Sequence, residues 1–261
     1  MNILDEIIKN KKIEIAHRKK QLPLDDILPK VDKLPIIRDF KSAISKPNRL
    51  NLIAEIKRAS PSAGEIVFEI DVQKIAQQYE HAGADAISVL TEQKYFRGDV
   101  FHIDLVKQVS SLPTLRKDFI IDEYQLYESR YFNADAVLLI VLILNTEQIN
   151  KFLKIAKKLY LSVIAEIHTA EELKRVLDTE ADIIGINNRN LSDLTVDINI
   201  TSKLKSQIPN NKIVISESGI KTHQDIEMLK DNGVNAVLIG EYLMKSADIK
   251  KTITELFGIS I

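Results

Sequence analysis

Residues Leu52–Gly64 read LIAEIKRASPSAG: an apolar run that delivers Glu55, Lys57 and Arg58 and then breaks at Ser60-Pro61-Ser62. In a strand, alternate side chains share a face, so Glu55 and Lys57 point one way and Ile56 and Arg58 the other. A carboxylate and an ammonium are thereby paired at the end of a buried strand. Such a pair is either a structural ion pair or one wall of an active site, and its surroundings have to decide.

From Leu50 onward the chain repeats one pattern: a short apolar run, a polar turn, then a stretch of helical period. The runs are Leu50–Ile56, Ala86–Leu90, Thr114–Arg116, Ala136–Val141, Ser162–Ile167, Ile183–Ile186, Lys212–Ser216 and Ala236–Ile239. Between them lie helical patterns over Val72–Ala82, Phe101–Val109, Glu123–Tyr131, Thr146–Tyr160, Ala170–Leu177 and Thr222–Asn232, with a weaker one near Ile200–Gln207. Strict strand–helix alternation implies parallel strands joined by helical crossovers. Eight units in roughly 210 residues favour a closed (β/α)8 TIM barrel over an open doubly wound sheet. The open sheet also lacks support, because no GxGxxG follows the first strand and there is no P-loop.

Ahead of the barrel, residues 2–20 carry Ile3, Ile7, Ile8, Ile13 and Ile15 among Lys and Glu, as an amphipathic helix does. Leu22–Pro47 contains Pro23, Pro29, Pro35 and Pro47 and reads as a connector with short helical pieces, one near Asp39–Ile44. Neither segment has a core of its own. The expectation is a single α/β domain over 1–261, in which 1–48 is an N-terminal helical extension packed on the barrel.

Composition narrows the function. With 36 basic against 37 acidic residues, interspersed, the chain has no broad basic footprint for nucleic acid. It has no cysteine, which excludes disulfides, thiolate metal sites and a catalytic thiol. The first twenty residues are too charged for a signal peptide, and the longest apolar run, Val137–Leu144, is far short of the roughly 20 residues that span a bilayer. A cytoplasmic protein with no membrane partner is expected.

In such a barrel the chemistry collects at the C-terminal ends of the strands. There the sequence places Glu55 and Lys57, Lys117, Glu166, Asn187 and Arg189, Glu217-Ser218-Gly219, and Gly240-Glu241. Taken singly, each is more readily a structural or solvated group; their common rim is what points to a site. Gly219 and Gly240 follow strands seven and eight, where backbone N–H groups hold phosphate in many barrels; that reading is favoured over one in which they only permit tight turns. Phe96 and Phe119, in the loops after the second and third strands, read as pocket walls or as core.

These motifs resemble the indole-3-glycerol-phosphate synthase family. The resembling segments are IAEIKRASPSAG (53–64), VLTEQKYFRGD (89–99), LRKDFIIDEYQ (115–125), AEIH (165–168), GINNRNL (185–191), SESGI (216–220) and LIGEYLM (238–244). The resemblance implies a lyase of tryptophan biosynthesis that converts 1-(2-carboxyphenylamino)-1-deoxyribulose 5-phosphate into indole-3-glycerol phosphate, carbon dioxide and water. No cofactor or metal is implied, and a monomer is expected. Lys117 matches the family's general acid and Glu166 the acid or base of the dehydration. Lys57 matches a lysine that engages the substrate carboxylate, with Glu55 favouring the ammonium forms. Asn187 would hold a substrate hydroxyl, Arg189 the charged rim and Ser60 a substrate contact. Ser218, Gly219, Gly240 and Glu241 match the phosphate cradle, with the Glu241 side chain expected to turn away from the phosphate. Phe96 and Phe119 would flank the anthranilate ring, and Ser60-Pro61-Ser62 would root a mobile loop that closes over it.

Three rival functions fit less well. A barrel glycosidase could use Glu55 and Glu166, but the chain has no Trp for sugar stacking. A phosphoribosylanthranilate isomerase would need the Cys that is absent. A non-catalytic scaffold would be expected to lose one of Lys57, Lys117 and Glu166. His168 shares the face of Glu166 only if its strand runs that far, and is set aside. So are His17, His81, His102 and His223, which have no metal-ligand spacing, and the Lys-rich stretches 9–20 and 151–158, which read as solvated helix faces.

Overall fold

The computed structural model describes residues 3–31 and 33–258; residues 1, 2, 32 and 259–261 of the expected single domain lie outside the described residues. Eight parallel strands close into a barrel: β1 (Asn51–Ile56), β2 (Ala86–Leu90), β3 (Thr114–Lys117), β4 (Ala136–Ile140), β5 (Ser162–Ile167), β6 (Ile183–Asn187), β7 (Ile213–Glu217) and β8 (Ala236–Ile239). Each strand pairs with its sequence neighbours, and β8 closes on β1 with Asn51 opposite Ala236 and Ala54 opposite Ile239. Three strands reach further than the apolar runs indicated. Lys117, Asn187 and Glu217 are therefore the last residues of β3, β6 and β7 rather than the first residues of loops.

The helices are α1 (Ile3–Gln21), α2 (Leu24–Val31), α3 (Phe40–Ala43), α4 (Val72–His81), α5 (Phe101–Val109), α6 (Tyr124–Tyr131), α7 (Thr146–Lys158), α8 (Ala170–Leu177), α9 (Asn199–Lys205), α10 (His223–Asp231), α11 (Glu241–Met244) and α12 (Ile249–Phe257). Several of their starts are set by side chains that accept orphan backbone N–H groups. Asp71 and Thr169 cap α4 and α8, and full capping boxes, Asn145 with Gln148 and Thr222 with Asp225, open α7 and α10. The sequence reading did not include α12. Its signals are Asp248 as N-cap, Ile249, Ile253 and Leu256 at helical spacing, and Gly258 at φ 62 as its C-terminal stop.

Two apolar layers result from the period of two along each strand. Outward residues such as Leu52, Ala54, Val89, Val137 and Val237 pack under the helices. Inward residues, among them Ile53, Ala86, Leu115, Ala136, Leu138, Ile164, Ile183, Ile215, Ala236 and Leu238, fill the barrel, small ones opposing branched ones. The N-terminal segment seals both ends of this plug. Phe40 and Ile44 are buried in the interior cluster, and Asn51, at the start of β1, donates to the Ile44 and Asn235 carbonyls. At the opposite mouth, Ile7 of α1 joins the same cluster.

The Lys-rich stretch 9–20 is the solvated face expected of it at Lys9, Lys12, Lys19 and Lys20, which are exposed, but not at Lys11. Lys11 is fully buried, with Nζ 2.8 Å from both Asp118 Oδ1 and Glu14 Oε2, while the apolar Ile13 is exposed. Lys11 lies four residues from Ile7 and from Ile15, both buried, so it occupies the inner stripe of α1. A lysine can occupy that stripe because two carboxylates meet it there.

Candidate active site

The interior of the barrel changes character at its last inward layer. The odd-numbered strands end their inward rows with Glu55, Lys117, Glu166 and Glu217. Three carboxylates thus surround one ammonium directly above the apolar plug. Lys117 Nζ lies 2.8 Å from Glu217 Oε2 and 2.9 Å from Glu166 Oε2. Lys57 Nζ lies 2.9 Å from Glu55 Oε1, so the pair that opens the first loop is formed. Glu55, Glu166 and Glu217 are all buried, and only mutual pairing makes such a density of charge tolerable there.

Two glycines make room for this ring. A Cβ on Gly185 of β6 would fall 2.3 Å from Glu217 Oε1, and one on Gly240 would fall 2.3 Å from Glu55 Oε1. Gly240, read from sequence as a phosphate-loop residue, is thus also required by the packing of Glu55. The even strands end their inward rows with small or neutral groups, Asn187 and Gly240 among them, and leave space above the ring.

Electrostatics follow from the arrangement. Burial pulls the Lys117 ammonium down, but the Glu166, Glu217 and Glu55 charges outweigh it and hold the group well above the ordinary lysine value. Burial and the neighbouring Glu166 push the Glu217 carboxyl up to about 7 against the pull of Lys117. Glu166 is also pushed up by burial, but Lys117 and His168 overcome that and keep it below the usual carboxylate range. The ring therefore carries a permanent ammonium and a carboxyl that gains or loses its proton near neutrality.

Above the ring lies a cavity of about 1290 Å³. All the residues expected from sequence line it: Glu55, Lys57, Ser60, Phe96, Lys117, Phe119, Glu166, Asn187, Arg189, Ser218, Gly219, Gly240 and Glu241. Ile3, Leu4 and Ile7 of α1 add an apolar wall. The Phe96 and Phe119 rings lie 6.1 Å apart, tilted by 42°. Ser218 Oγ donates to Asn187 Oδ1 at 2.9 Å, and the Arg189 N–H donates to the same oxygen at 3.0 Å. Arg189 Nη1 donates to the Leu194 carbonyl, which holds the loop after β6. Ser218 and Gly219 both take positive φ, 69° and 85°, and a Cβ on Gly219 would meet Val196 Cγ1 at 2.7 Å. A serine in this region is strained, and its hydrogen bond to Asn187 helps to hold it there. Glu241 turns along its own helix to Lys245 Nζ, 2.6 Å away, and that hydrogen bond keeps its carboxyl below the usual range. Among the described residues no group of three or more His, Asp or Glu side chains is placed to hold a metal ion.

Sequence reasoning named Glu217 at the rim but left it out of the site. Its signal is positional: it ends β7 on the inward row, as Lys117 ends β3. His168, set aside from sequence, stands directly after β5 with Nε2 3.5 Å from Glu166 Oε1.

Comparison with known proteins places the chain in a family. A family model described as indole-3-glycerol phosphate synthase matches residues 4–256. The chain is similar to the indole-3-glycerol phosphate synthase of Clostridium acetobutylicum, at 48% identity over 97% of this chain and 96% of that protein. It is equally similar to that of Caldanaerobacter subterraneus subsp. tengcongensis, at 48% identity over 98% and 99% of the two chains. Among solved structures, a chain of the tryptophan synthase a2b2 complex from Pyrococcus furiosus superposes with a TM-score of 0.60 at 16% identity, covering 80% of this chain and 98% of its own, a likeness of fold alone. A match that runs nearly end to end, with the charged ring at its centre, makes the chain a member of the indole-3-glycerol phosphate synthase family.

Proposed function

We propose that this barrel closes the indole ring of 1-(2-carboxyphenylamino)-1-deoxyribulose 5-phosphate, with Lys117 as the proton donor, working as a single-domain cytoplasmic monomer. The observation that carries the assignment is the Lys117 ammonium held between Glu166 and Glu217 on the floor of a cavity with aromatic side walls. The ring carbon bearing the carboxylate attacks the ketone, and charge develops on the ketone oxygen. A fixed ammonium beside that oxygen stabilises the charge and delivers a proton as the oxygen becomes basic. Because Lys117 stays protonated throughout the working pH range, the donor is always loaded.

Loss of carbon dioxide restores the aromatic ring. Dehydration then needs a base for a proton on the first carbon of the sugar chain and an acid for the departing hydroxyl. Glu166 is the base in this reading. Lys57 holds the carboxylate and can serve with Lys117 as the acid. Asn187 holds a substrate hydroxyl, and Arg189 and Ser60 line the approach. Phe96 and Phe119 flank the anthranilate ring. Ser218, Gly219, Gly240 and the backbone of Glu241 receive the phosphate, and pairing with Lys245 offsets the Glu241 charge there.

The loop at Ser60-Pro61-Ser62, tied by the Ala63 N–H to Ser60 Oγ at 3.1 Å, closes over bound substrate. Hydrogen exchange of residues 57–65 should slow when product binds; equal rates with and without it would defeat the closure. The assignment as a whole is tested by fluorescence detection of indole-3-glycerol phosphate from the carboxyphenylamino substrate. Folded protein that yields no product would overturn it.

A further inference from the structure

Resting on that function, the reaction has a proton balance to satisfy. The ketone oxygen leaves as water and so takes up two protons, whereas the substrate gives up only one, from the first carbon of the sugar chain. The carboxylate departs as neutral carbon dioxide and supplies none. One proton must therefore enter from solvent in each turnover, while substrate fills the mouth above Lys117.

We propose that His168 is the relay that brings this proton in, from a second cavity through Glu166 to Lys117. Glu166 is bifunctional in space: Oε2 lies 2.9 Å from Lys117 Nζ, and Oε1 lies 3.5 Å from His168 Nε2. On its other side His168 Nδ1 lies 3.2 Å from Glu172 Oε2, which also accepts the His168 backbone N–H at 2.8 Å. With Nδ1–H committed to Glu172, Nε2 presents Glu166 with either a lone pair or an N–H. A lone pair facing an ionised carboxylate 3.5 Å away is repulsive, which favours the form of His168 that carries a proton on Nε2, aimed at Glu166.

The side chain of His168 is nine-tenths buried, and its Nε2 has no hydrogen-bond partner among the described residues. Burial alone would lower its affinity for a proton, but the bond to Glu172 and the charges of Glu166, Glu172 and Glu217 raise it above the ordinary histidine value. His168 lines a cavity of about 850 Å³ between α1 and the loops after β4, β5 and β6. The charged groups of its walls are Asp5, Lys9 and Lys12 on α1, Glu172, and Arg189. Asn187, Arg189 and Leu191 line both cavities, so the second lies directly behind the wall of the first.

Each transfer balances. Solvent protonates His168; His168 passes its Nε2 proton to Glu166 Oε1; Glu166 returns a proton from Oε2 to Lys117 after Lys117 has donated to substrate. His168 touches no reacting atom and acts through Glu166.

The test compares wild type, His168→Ala and His168→Gln at low buffer concentration. Wild-type turnover is measured first, and its absence would overturn the proposed function itself. Given turnover, both variants should lose about tenfold or more in kcat with KM within about twofold. Added imidazole, small enough for the vacated space, should restore His168→Ala in proportion to its concentration and leave His168→Gln unchanged. Wild-type kcat in His168→Gln, or a loss in folded His168→Ala that imidazole does not reduce, would overturn the relay. If His168→Ala does not fold, His168→Gln alone decides: its tenfold loss with a wild-type melting temperature supports the relay, and normal kcat refutes it.

Discussion

Lys11 Nζ, on the first helix, lies 2.8 Å from Asp118, the residue that follows Lys117 in the chain. Asp118 also pairs with Arg116 at 3.0 Å, accepts from Thr91 Oγ1 at 2.7 Å, and accepts the Phe119 N–H at 2.8 Å. Further along α1, Arg18 pairs with Glu128 of α6, itself paired with Arg116. The N-terminal helix thus holds the end of β3 through a continuous charged network.

Removing one member of a buried ion pair strands the other, at a cost of about 3–5 kcal/mol. Lys11→Met is expected to lower stability by that order in denaturant titration, and Lys11→Met with Asp118→Asn by less. Burial would raise the Asp118 pKa, but Lys11 and Arg116 hold it well below its ordinary 3.8. The folded state therefore releases this proton more readily than the unfolded chain, and the stabilisation is present above about pH 4 and lost as the pH falls below it. Equal stability of Lys11→Met and wild type at pH 7 would contradict the network.

Glu217 has the opposite sign. Its folded pKa of about 7 lies above the ordinary 4.5, so the folded state binds this proton more tightly than the unfolded chain. Its contribution favours folding below pH 4.5 and is lost as the pH rises to about 7. Glu217→Gln should flatten that part of the stability profile and raise the melting temperature above pH 7. It should also reduce kcat by about tenfold, because Lys117 is then positioned by one carboxylate. An unchanged slope between pH 4.5 and 7 would count against the assignment.

The space around the carboxylates can be tested without altering a charge. Gly185→Ala and Gly240→Ala each insert one methyl group against Glu217 and Glu55 respectively. Overpacking of this kind costs about 1–3 kcal/mol. Both variants should fold, melt earlier and lose kcat more than they raise KM, since it is the ring that is displaced. Normal kcat in either would show that the corresponding carboxylate has freedom the packing denies it.

The barrel was legible because every strand buries both faces, so apolar runs stand out against charged helices, and the rim was legible because the runs end in polar residues. Individual burial was harder to read. Lys11 carries the composition of a solvated face, and only its spacing from Ile7 and Ile15 places it inside. His168 stands one residue past the end of β5 at Ile167, so its approach to Glu166 is made from a loop whose course strand alternation does not give. Glu217 has the same positional signal as Glu166, the end of an inward row, but its contact with Lys117 is knowledge of pairing across the barrel. The family resemblance supplied the roles of Lys57 and Asn187, which no spacing reveals.

The central claim is that Lys117 donates the proton that permits ring closure. Turnover of the carboxyphenylamino substrate by Lys117→Ala, compared with wild type at equal folded concentration, tests it most directly. The account predicts a loss in kcat of about 10²–10⁴-fold, larger than for Lys57→Ala or Glu166→Gln, with circular dichroism unchanged. Turnover by folded Lys117→Ala within a few fold of wild type would contradict it.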